Sequence, residues 1–360
     1  MKQSRTKRVI ALGMMAALAA TATGELSVLG RLGASPRSAD AAADPLAPQP
    51  LPELTVVRTA ISSRSEVFLA MLLADAMGEF AKENIELEVS TVPTSESTLL
   101  LTQGELDVVP TSLSAGNLNL VASGARVAGV FPLNAENDVA EQGFWIRRDA
   151  LGEDGEYQPE DLIGQRVLTP SGGGSFSVGY FWATELEPLG IAPDDVTWER
   201  FGVPDTPQAL ISGAAPAALV LSPGWQIVKD DGCCIFLDGF PSHSNSFYAF
   251  GPNLLDEHPE VGEAFVRALA RTVTTYLQTD YHNDPDMAAT VAEILEQPVE
   301  MVQSMPSLVW EPTFELRGDH LPVVQEYFAL TDALSYDEPL AYDDLYVTDF
   351  ITPLLPDASS

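Results

Sequence analysis

Apolar residues along this chain form short continuous runs, and between the runs they recur at helical spacing. A continuous run is typical of a strand buried on both faces of a parallel sheet, whereas a spacing of three or four residues is typical of a helix. In the first part of the chain the two patterns alternate. They predict strands over residues 54–60, 85–92, 106–110 and 126–131 and helices over residues 66–82, 95–103 and 115–123.

A second alternating stretch follows, and a helical region completes the chain. Strands are predicted over 144–147, 161–169 after an opening turn, 196–201, 217–221 and 233–237, with helices over 176–189 and 207–212. From Asn253 onward the pattern predicts only helices, over 261–278, 284–296, 298–304 and 320–332. The fold class is therefore α/β, with open, mainly parallel sheets flanked by helices. We expect the helical C-terminal part to pack on the first unit.

One phrase occurs twice, about a hundred residues apart. Residues 99–112 and 209–222 each contain the end of a helix, a glycine, a short apolar strand and a loop of small residues. Gly104 and Gly213 supply the left-handed conformation that ends a helix. The repetition predicts two α/β units of one plan that face each other.

The first 53 residues are predicted to lie outside the folded body. Residues 1–43 combine a basic start, an alanine-rich apolar stretch over 9–22 and small residues up to Ala43, which is typical of an export signal. The apolar stretch is shorter than the about 20 residues of a membrane span. An uncleaved anchor and the twin-arginine export route stay open. Residues 44–53 are proline-rich and are expected to be an extended tether.

The chain is strongly acidic, with 18 Lys and Arg against 52 Asp and Glu. Without residues 1–43 the balance is 12 against 50, a formal net charge of -38. This balance excludes nucleic-acid binding, which needs a basic surface, and disfavours binding to anionic membranes. Beyond residue 43 the only lysines are Lys82 and Lys229. Two explanations stay open: adaptation to salty water, or an ordinary acidic secreted protein.

Residues that could carry catalysis or hold a metal do not form a recognisable motif. The glycine-rich stretch 171–179 matches no nucleotide-binding or nucleophile-elbow pattern. The four histidines are far apart and are expected at the surface or at helix starts. Cys233 and Cys234 are expected to be two small buried side chains, with a strained vicinal disulfide as the alternative. No catalytic residue, metal or cofactor is therefore expected.

Three loops rich in Ser, Thr and Gly do recur after a strand and before a helix, at 62–65, 111–114 and 171–175. Ligands of open α/β sheets bind beyond the carboxyl ends of the strands, and helix N-termini favour anionic or hydrogen-bond-accepting groups. Plain helix caps are the alternative. Nearby aromatics are expected in the core, with stacking on a planar ligand left open; they are Tyr180, Trp182, Trp225, Phe247 and Tyr248. The predicted ligand contacts are Ser62, Ser63, Arg64, Thr111, Ser112, Ser114, Ser171, Gly173, Ser175 and Ser222.

The order of several segments resembles a known family. These segments are the opening strand with its Ser-rich loop, 104–112, 161–166, 189–191, 213–222, 258–271 and 345–350. In this order they resemble the extracytoplasmic solute-binding proteins of ABC importers, in the branch that includes nitrate, taurine, alkanesulfonate and thiamine-pyrimidine binders. The resemblance implies a type II periplasmic-binding-protein fold with two lobes. Lobe 1 would comprise 54–142 and 248–360, and lobe 2 would comprise 143–247, with crossings near 141–145 and 243–250.

The resemblance also implies a function. The chain would be an exported monomer, periplasmic or at the cell surface, that captures a small organic or inorganic anion or a heteroaromatic nutrient for a membrane permease. Pro216 departs from the family, which often has an acidic residue there, and puts the start of that strand in doubt. Cys233-Cys234 poorly matches the cysteine-rich run of thiamine-pyrimidine binders, so that ligand is not assigned. An enzyme on the same scaffold, such as a pyrimidine-precursor or chorismate-derived-acid enzyme, and a ligand-sensing receptor are the alternatives.

Overall fold

The computed structural model describes residues 44–135, 140–169, 186–188, 190–222, 224–239, 246–278 and 280–355. The predicted helix over 176–189 and the loop over 171–175 lie almost wholly outside these residues. Across the described part of the chain, no helix combines the length and the apolar character needed to cross a membrane.

The described strands are twelve. They are β1 (Thr55–Ile61), β2 (Ile85–Thr91), β3 (Val108–Ser112), β4 (Ala128–Pro132), β5 (Asn134–Ala135), β6 (Gly143–Arg147), β7 (Arg166–Thr169), β8 (Thr197–Arg200), β9 (Ala217–Val220), β10 (Cys234–Gly239), β11 (Ser246–Phe250) and β12 (Val309–Trp310).

The described α-helices are ten, and most of them follow a strand. They are α1 (Leu69–Ala76), α2 (Thr94–Thr102), α3 (Ala115–Ala122), α4 (Thr206–Ile211), α5 (Gly224–Asp231), α6 (Pro259–Tyr276), α7 (Pro285–Leu295), α8 (Val299–Gln303), α9 (Leu321–Leu330) and α10 (Tyr342–Leu345). Short 3₁₀ turns occupy Glu66–Phe68, Ala81–Glu83, Arg148–Ala150, Pro159–Asp161, Pro193–Asp195 and Thr352–Leu354, and one π-helical turn occupies Asn253–Glu257.

Two five-stranded sheets share one topology. The first has the order β2-β1-β3-β11-β4, and the second has the order β10-β6-β9-β7-β8. In each sheet four strands run in one direction and one runs against them, β11 in the first and β6 in the second. The central strands β3 and β9 belong to the two copies of the repeated phrase. The predicted α/β class with mainly parallel sheets is confirmed.

Among the described strands, the chain crosses from one sheet to the other twice. It leaves the first sheet after β4 and enters the second at β6, and it returns from β10 to β11. Each antiparallel strand is therefore the first strand after a passage. A small third sheet joins β5 to β12 through the register Val309↔Ala135 and Trp310↔Asn134.

Arginines hold the glycine turns of both phrases. Gly104 and Gly213 have φ angles of +72° and +80°, so the predicted left-handed stops are confirmed. The Arg58 guanidinium donates to the Gly104 carbonyl at 3.0 Å and to Asp107, while Arg147 donates to the last carbonyls of α4. Asp107 has no acidic counterpart in the second phrase, where Pro216 stands, yet β9 begins at the next residue.

Buried side chains explain why these strands are continuous apolar runs. The strands β3 and β4 are buried along their whole length. In the second sheet alternate residues face opposite sides, so that Phe144 and Ile146 join one core cluster and Trp145 joins another with Trp225. Both faces of the sheet are therefore covered, as parallel sheets require.

Several features of the fold differ from the sequence-based expectations. The helix expected over 66–82 is divided into the 3₁₀ turn Glu66–Phe68, α1 and the turn Ala81–Glu83, with Gly78 at a φ of +71° between them. Helix α5 and strand β11 were not predicted. The strand β12 contradicts the expectation of helices alone after Asn253; its pairing with the distant β5 leaves no local pattern.

The disulfide and the proline-rich segment also differ. Cys233 and Cys234 are joined to each other, so the alternative applies rather than two separate thiols. Residues 44–52 are no free tether, because their backbone is bound to the body. The Leu46 and Gln49 carbonyls accept hydrogen bonds from Arg271 and Arg267, and Leu51 is buried.

Candidate functional site

The first predicted ligand loop, 62–65, leaves the carboxyl end of β1. Ser62 and Ser63 are exposed, and Ser65 is half-buried where the chain enters the turn Glu66–Phe68. Strand β1 pairs with β3 through Thr59↔Val108 in parallel, so both strands end at the same edge of the sheet. The geometry places the loop where ligands of open α/β sheets are found.

Arg64 is already engaged by the protein. Its Nε lies 3.1 Å from Glu296 Oε1, and its Nη1 donates to the Ile294 carbonyl at 3.1 Å. Ile294 belongs to the last turn of α7, where a cation satisfies a free carbonyl and the helix dipole. The guanidinium therefore already has a carboxylate partner, although its side chain stays half exposed.

The second group of predicted contacts, in residues 111–114, does not form a simple loop. Thr111 and Ser112 are buried and complete β3, while Ser114 caps α3 by accepting a hydrogen bond from the Asn117 amide at 3.1 Å. The Asn117 side chain donates to Thr111 Oγ1 and to the Ser112 carbonyl, each at 2.7 Å. Ser114 is therefore a helix cap, as the alternative explanation has it, while the Thr111 hydroxyl is held by the Asn117 side chain and caps no helix.

Ser222 follows β9 in the second sheet, and it contacts three other segments. Its backbone N–H donates to Gln142 Oε1 at 2.5 Å, and its hydroxyl accepts from Trp225 Nε1 at 3.3 Å. The same hydroxyl lies 3.8 Å from the Met305 sulfur. Met305 comes from the C-terminal helical region, so Ser222 lies where that region meets the end of the second sheet.

Three of the ten predicted contacts, Ser171, Gly173 and Ser175, lie outside the described residues. Two of the five aromatics, Tyr180 and Trp182, also lie there. The other three are buried in the core: Trp225, Phe247 and Tyr248.

A buried acid–base pair next to the first loop is absent from the sequence-based predictions. His282 Nε2 lies 2.7 Å from Glu66 Oε1, and His282 Nδ1 lies 2.8 Å from the Met305 carbonyl. The expectation that every histidine lies at the surface or caps a helix is wrong for His282, which is 1% exposed. Glu66 is 216 residues away along the chain, so no spacing could have signalled the pair.

The described side chains among the predicted contacts offer mainly hydrogen-bonding groups. Within the described ranges, no group of three or more His, Cys, Asp or Glu side chains could hold a metal ion. Ser62, Ser63, Ser112 and Ser222 carry hydroxyl groups at or beyond the carboxyl ends of β1, β3 and β9. Arg64, the one Lys or Arg among the ten predicted contacts, is paired with Glu296.

The family model described as NMT1/THI5 like matches residues 65–282. The match begins in the first predicted loop and ends at His282. No curated protein sequence matches the chain.

Solved structures share the fold at low sequence identity. The alkanesulfonate-binding protein SsuA of Xanthomonas axonopodis pv. citri, bound to MOPS, has a TM-score of 0.58 and 13% identity, over 83% of this chain and 99% of that one. The periplasmic aliphatic sulphonate-binding protein SsuA of Escherichia coli has a TM-score of 0.57 and 15% identity, over 81% and 92%. The periplasmic nitrate-binding protein NrtA of Synechocystis PCC 6803 has a TM-score of 0.53 and 13% identity, over 82% and 85%. The chain therefore has the type II fold of periplasmic binding proteins.

Proposed function

The chain belongs to the NMT1/THI5-like family, and from this premise we propose that it is an extracytoplasmic solute-binding protein of an ABC importer. It would capture a small organic or inorganic anion, or a heteroaromatic nutrient, and deliver it to a membrane permease. The three solved structures described above share its fold and are named as sulfonate- and nitrate-binding proteins, and this supports a role in binding over one in catalysis.

One observation carries the proposal. Two sheets of the same topology present hydroxyl-bearing residues at the carboxyl ends of β1, β3 and β9. The contact of Met305 with Ser222, and of its carbonyl with His282 beside Glu66, connects the end of β9 to the end of β1. A ligand held among these ends would contact both halves of the chain, and a preference for the closed arrangement would drive closure.

The lobe boundaries are part of this proposal. Lobe 1 comprises residues 54–142 and 248–360, and lobe 2 comprises residues 143–247; all strands of the first sheet except β11, whose first residues precede 248, fall within lobe 1. We propose that the protein is exported, works in the periplasm or at the cell surface, and acts as a monomer.

The ligand contacts are proposed to be mainly neutral hydrogen-bonding groups. Arg64 is paired with Glu296 and bound to the Ile294 carbonyl, so its charge is already compensated. The remaining proposed contacts are hydroxyls and backbone amides, which bind oxygen-rich anions and heteroaromatic rings alike. The proposal therefore keeps both ligand classes and distinguishes them by experiment.

A thermal-shift screen tests the proposal directly. Mature protein is heated with sulfonates, nitrate, bicarbonate, carboxylates or pyrimidines, one class at a time. A ligand that binds only the folded state stabilises it by mass action and so raises the thermal midpoint. At a ligand concentration a thousandfold above Kd, the free energy of unfolding rises by about 4 kcal/mol. We expect one class to raise the midpoint with a saturable dose dependence. A midpoint unchanged by every class would contradict ligand capture of the proposed kind.

Matched variants then test the position of the site. Ser63→Trp places a bulky side chain in the exposed first loop and should abolish the ligand-induced shift while leaving the ligand-free midpoint unchanged. Ser123→Trp is the control, because Ser123 is also exposed and lies at the opposite end of α3 from Ser114. Equal ligand-induced shifts in the two variants would remove the first loop from the site.

A further inference from the structure

The His282 ring is buried between two hydrogen-bond acceptors. Its Nδ1 faces the Met305 carbonyl at 2.8 Å and its Nε2 faces the Glu66 carboxylate at 2.7 Å. A carbonyl oxygen and an ionised carboxylate can only accept, so each ring nitrogen must donate. Only the doubly protonated imidazolium carries two N–H groups.

The neighbours of Glu66 support its ionised form. The same carboxylate oxygen accepts a hydrogen bond from the Tyr281 hydroxyl at 2.6 Å. That hydroxyl oxygen in turn accepts from the Leu308 amide at 3.1 Å and from Trp310 Nε1 at 3.4 Å, so its own proton points to Glu66. Glu66 Oε1 therefore receives two donors, Tyr281 and His282, which is the arrangement of a carboxylate.

The charged groups around the His282 ring favour its protonated form. Glu66, in the turn Glu66–Phe68, faces the His282 ring. Asp280 lies on the same segment as His282 and accepts a hydrogen bond from the Ser307 hydroxyl, which itself accepts one from the His282 amide. Burial lowers the pKa of His282, but the Glu66 hydrogen bond and charge, the Met305 carbonyl and the Asp280 charge outweigh it, so the pKa lies above its usual value. The Tyr281 ring packs edge-on at 4.8 Å.

This pair joins the loop 62–65 of the proposed site to a segment that contacts Ser222, another proposed ligand contact. Glu66 directly follows the loop 62–65, while Met305 contacts Ser222 through its sulfur and His282 through its carbonyl. We propose that His282, as a buried imidazolium, is a pH-sensitive positioning residue that fixes the loop 62–65 to the Met305 segment. The role of His282 in holding these two segments together does not depend on ligand capture. Only an effect of this role on ligand affinity would rest on the proposed function.

The pH dependence has a definite sign. A histidine whose pKa is raised in the folded state stabilises that state fully below the unfolded pKa of about 6.5. The contribution is lost as the pH rises through the folded value. A neutral ring could donate to only one of Glu66 and the Met305 carbonyl, so one of the two His282 bonds would be lost and the two segments would separate more often.

Ring ¹⁵N shifts of the mature chain test the protonation state without any ligand. Below about pH 6 we expect both His282 nitrogens to be protonated, with a titration midpoint above the usual value of about 6.5. Glu66→Gln should lower this midpoint by about 1–3 pH units, since it removes an opposite charge in direct contact. Glu260→Gln is the matched control, because it removes the partner of the exposed His258 at 3.5 Å and should leave His282 unchanged. A His282 midpoint at or below about 6.5, or a midpoint unmoved by Glu66→Gln, would overturn the proposal.

Amide hydrogen exchange tests the positioning. After correction for intrinsic rates, protection of residues 62–66 and 303–306 should fall above the His282 midpoint, by about tenfold for each unit by which the folded pKa exceeds the unfolded one. Tyr281→Phe, which retains the Glu66–His282 pair, should keep this pH dependence, and His282→Gln should abolish it. Protection that is independent of pH in the wild-type chain would refute the proposal. Neither experiment uses a ligand, so a failed ligand screen would not be mistaken for this result.

Discussion

Asn117 shows how a residue that is not itself a predicted ligand contact can hold the hydroxyl groups of a site in place. Its amide group donates to Thr111 Oγ1 and to the Ser112 carbonyl, and its backbone N–H donates to Ser114 Oγ. Three of the predicted contacts therefore depend on one side chain and its backbone. Because Thr111 and Ser112 are buried and these bonds are partly buried, water replaces them only in part.

The variant Asn117→Ala tests this dependence. It leaves the buried Thr111 hydroxyl and the Ser112 carbonyl without a donor, and we expect a loss of about 1–3 kcal/mol in the free energy of unfolding. Urea titration measures this loss. Ligand affinity should fall as well, because the end of β3 loosens.

The control is Asn119→Ala on the same helix. Asn119 binds the Ala333 carbonyl and Ser335, which lie away from β3, so this variant should lose stability but keep ligand affinity. Equal losses of affinity in the two alanine variants would contradict a specific role for Asn117.

At the scale of an element, the segment 44–52 illustrates how composition can mislead. Its prolines favour an extended chain, and the segment is indeed irregular, yet its carbonyls bind two arginines of α6. Arg271 also contacts Glu79 at 2.6 Å and Glu83 at 2.8 Å, and all three side chains are almost wholly buried. Burial raises the pKa of Glu79, but hydrogen bonds from Arg271, Lys82 and Tyr276 outweigh it and hold that pKa below its usual value.

The variant Arg271→Met tests how strongly this element is anchored. Removing one partner of a buried ionic cluster leaves uncompensated charge, and we expect a loss of about 3–5 kcal/mol in the free energy of unfolding. Limited proteolysis should then cut within residues 44–52. Arg126→Met is the matched control, because its ion pair with Asp256 is about half exposed and should contribute about 0–1 kcal/mol. Similar losses in the two variants would show that the cluster does not anchor the segment.

At the scale of the whole molecule, charge dominates. Residues 44–360 carry 50 acidic groups and 12 Lys and Arg, and at least three of these arginines are committed to largely buried or half-buried acids: Arg58, Arg267 and Arg271. Without these three arginines and their partners Asp107, Glu79 and Glu83, 9 basic and 47 acidic groups remain (12 − 3 and 50 − 3), so the whole formal net charge of -38 stays on the other groups. Self-repulsion among these groups disfavours the compact state.

Salt should therefore stabilise this protein. We expect the thermal midpoint to rise steeply between about 0.01 M and 0.2 M KCl, because the Debye length shrinks from about 30 Å to below 10 Å over this range. Sucrose, which has no charge, serves as the control for general solute effects. A further rise at molar KCl would favour adaptation to salty water over an ordinary acidic secreted protein. A midpoint that is independent of salt throughout would contradict both the repulsion and the adaptation.

The sequence predicted elements with local signals better than it predicted elements and contacts that join distant residues. Residues 106–110 and 217–221 were predicted as strands because their apolar runs and preceding glycines are local signals, and β3 and β9 confirm them within two residues. The strand β12 carried no such signal, since its form depends on pairing with the distant β5. The ligand contacts themselves stay a prediction.

The sequence by itself determined the α/β class, the two matching units and the acidic character of the chain. Buried strands and glycine turns are signalled by neighbouring residues, and net charge follows from the composition. Only the tertiary structure decided that His282 pairs with Glu66, that Arg271 binds the segment 44–52, and that Arg64 is engaged by Glu296. Each of these contacts joins residues more than two hundred positions apart. A bond of that kind depends on how whole elements pack, and packing follows from the total burial of the core rather than from any local pattern.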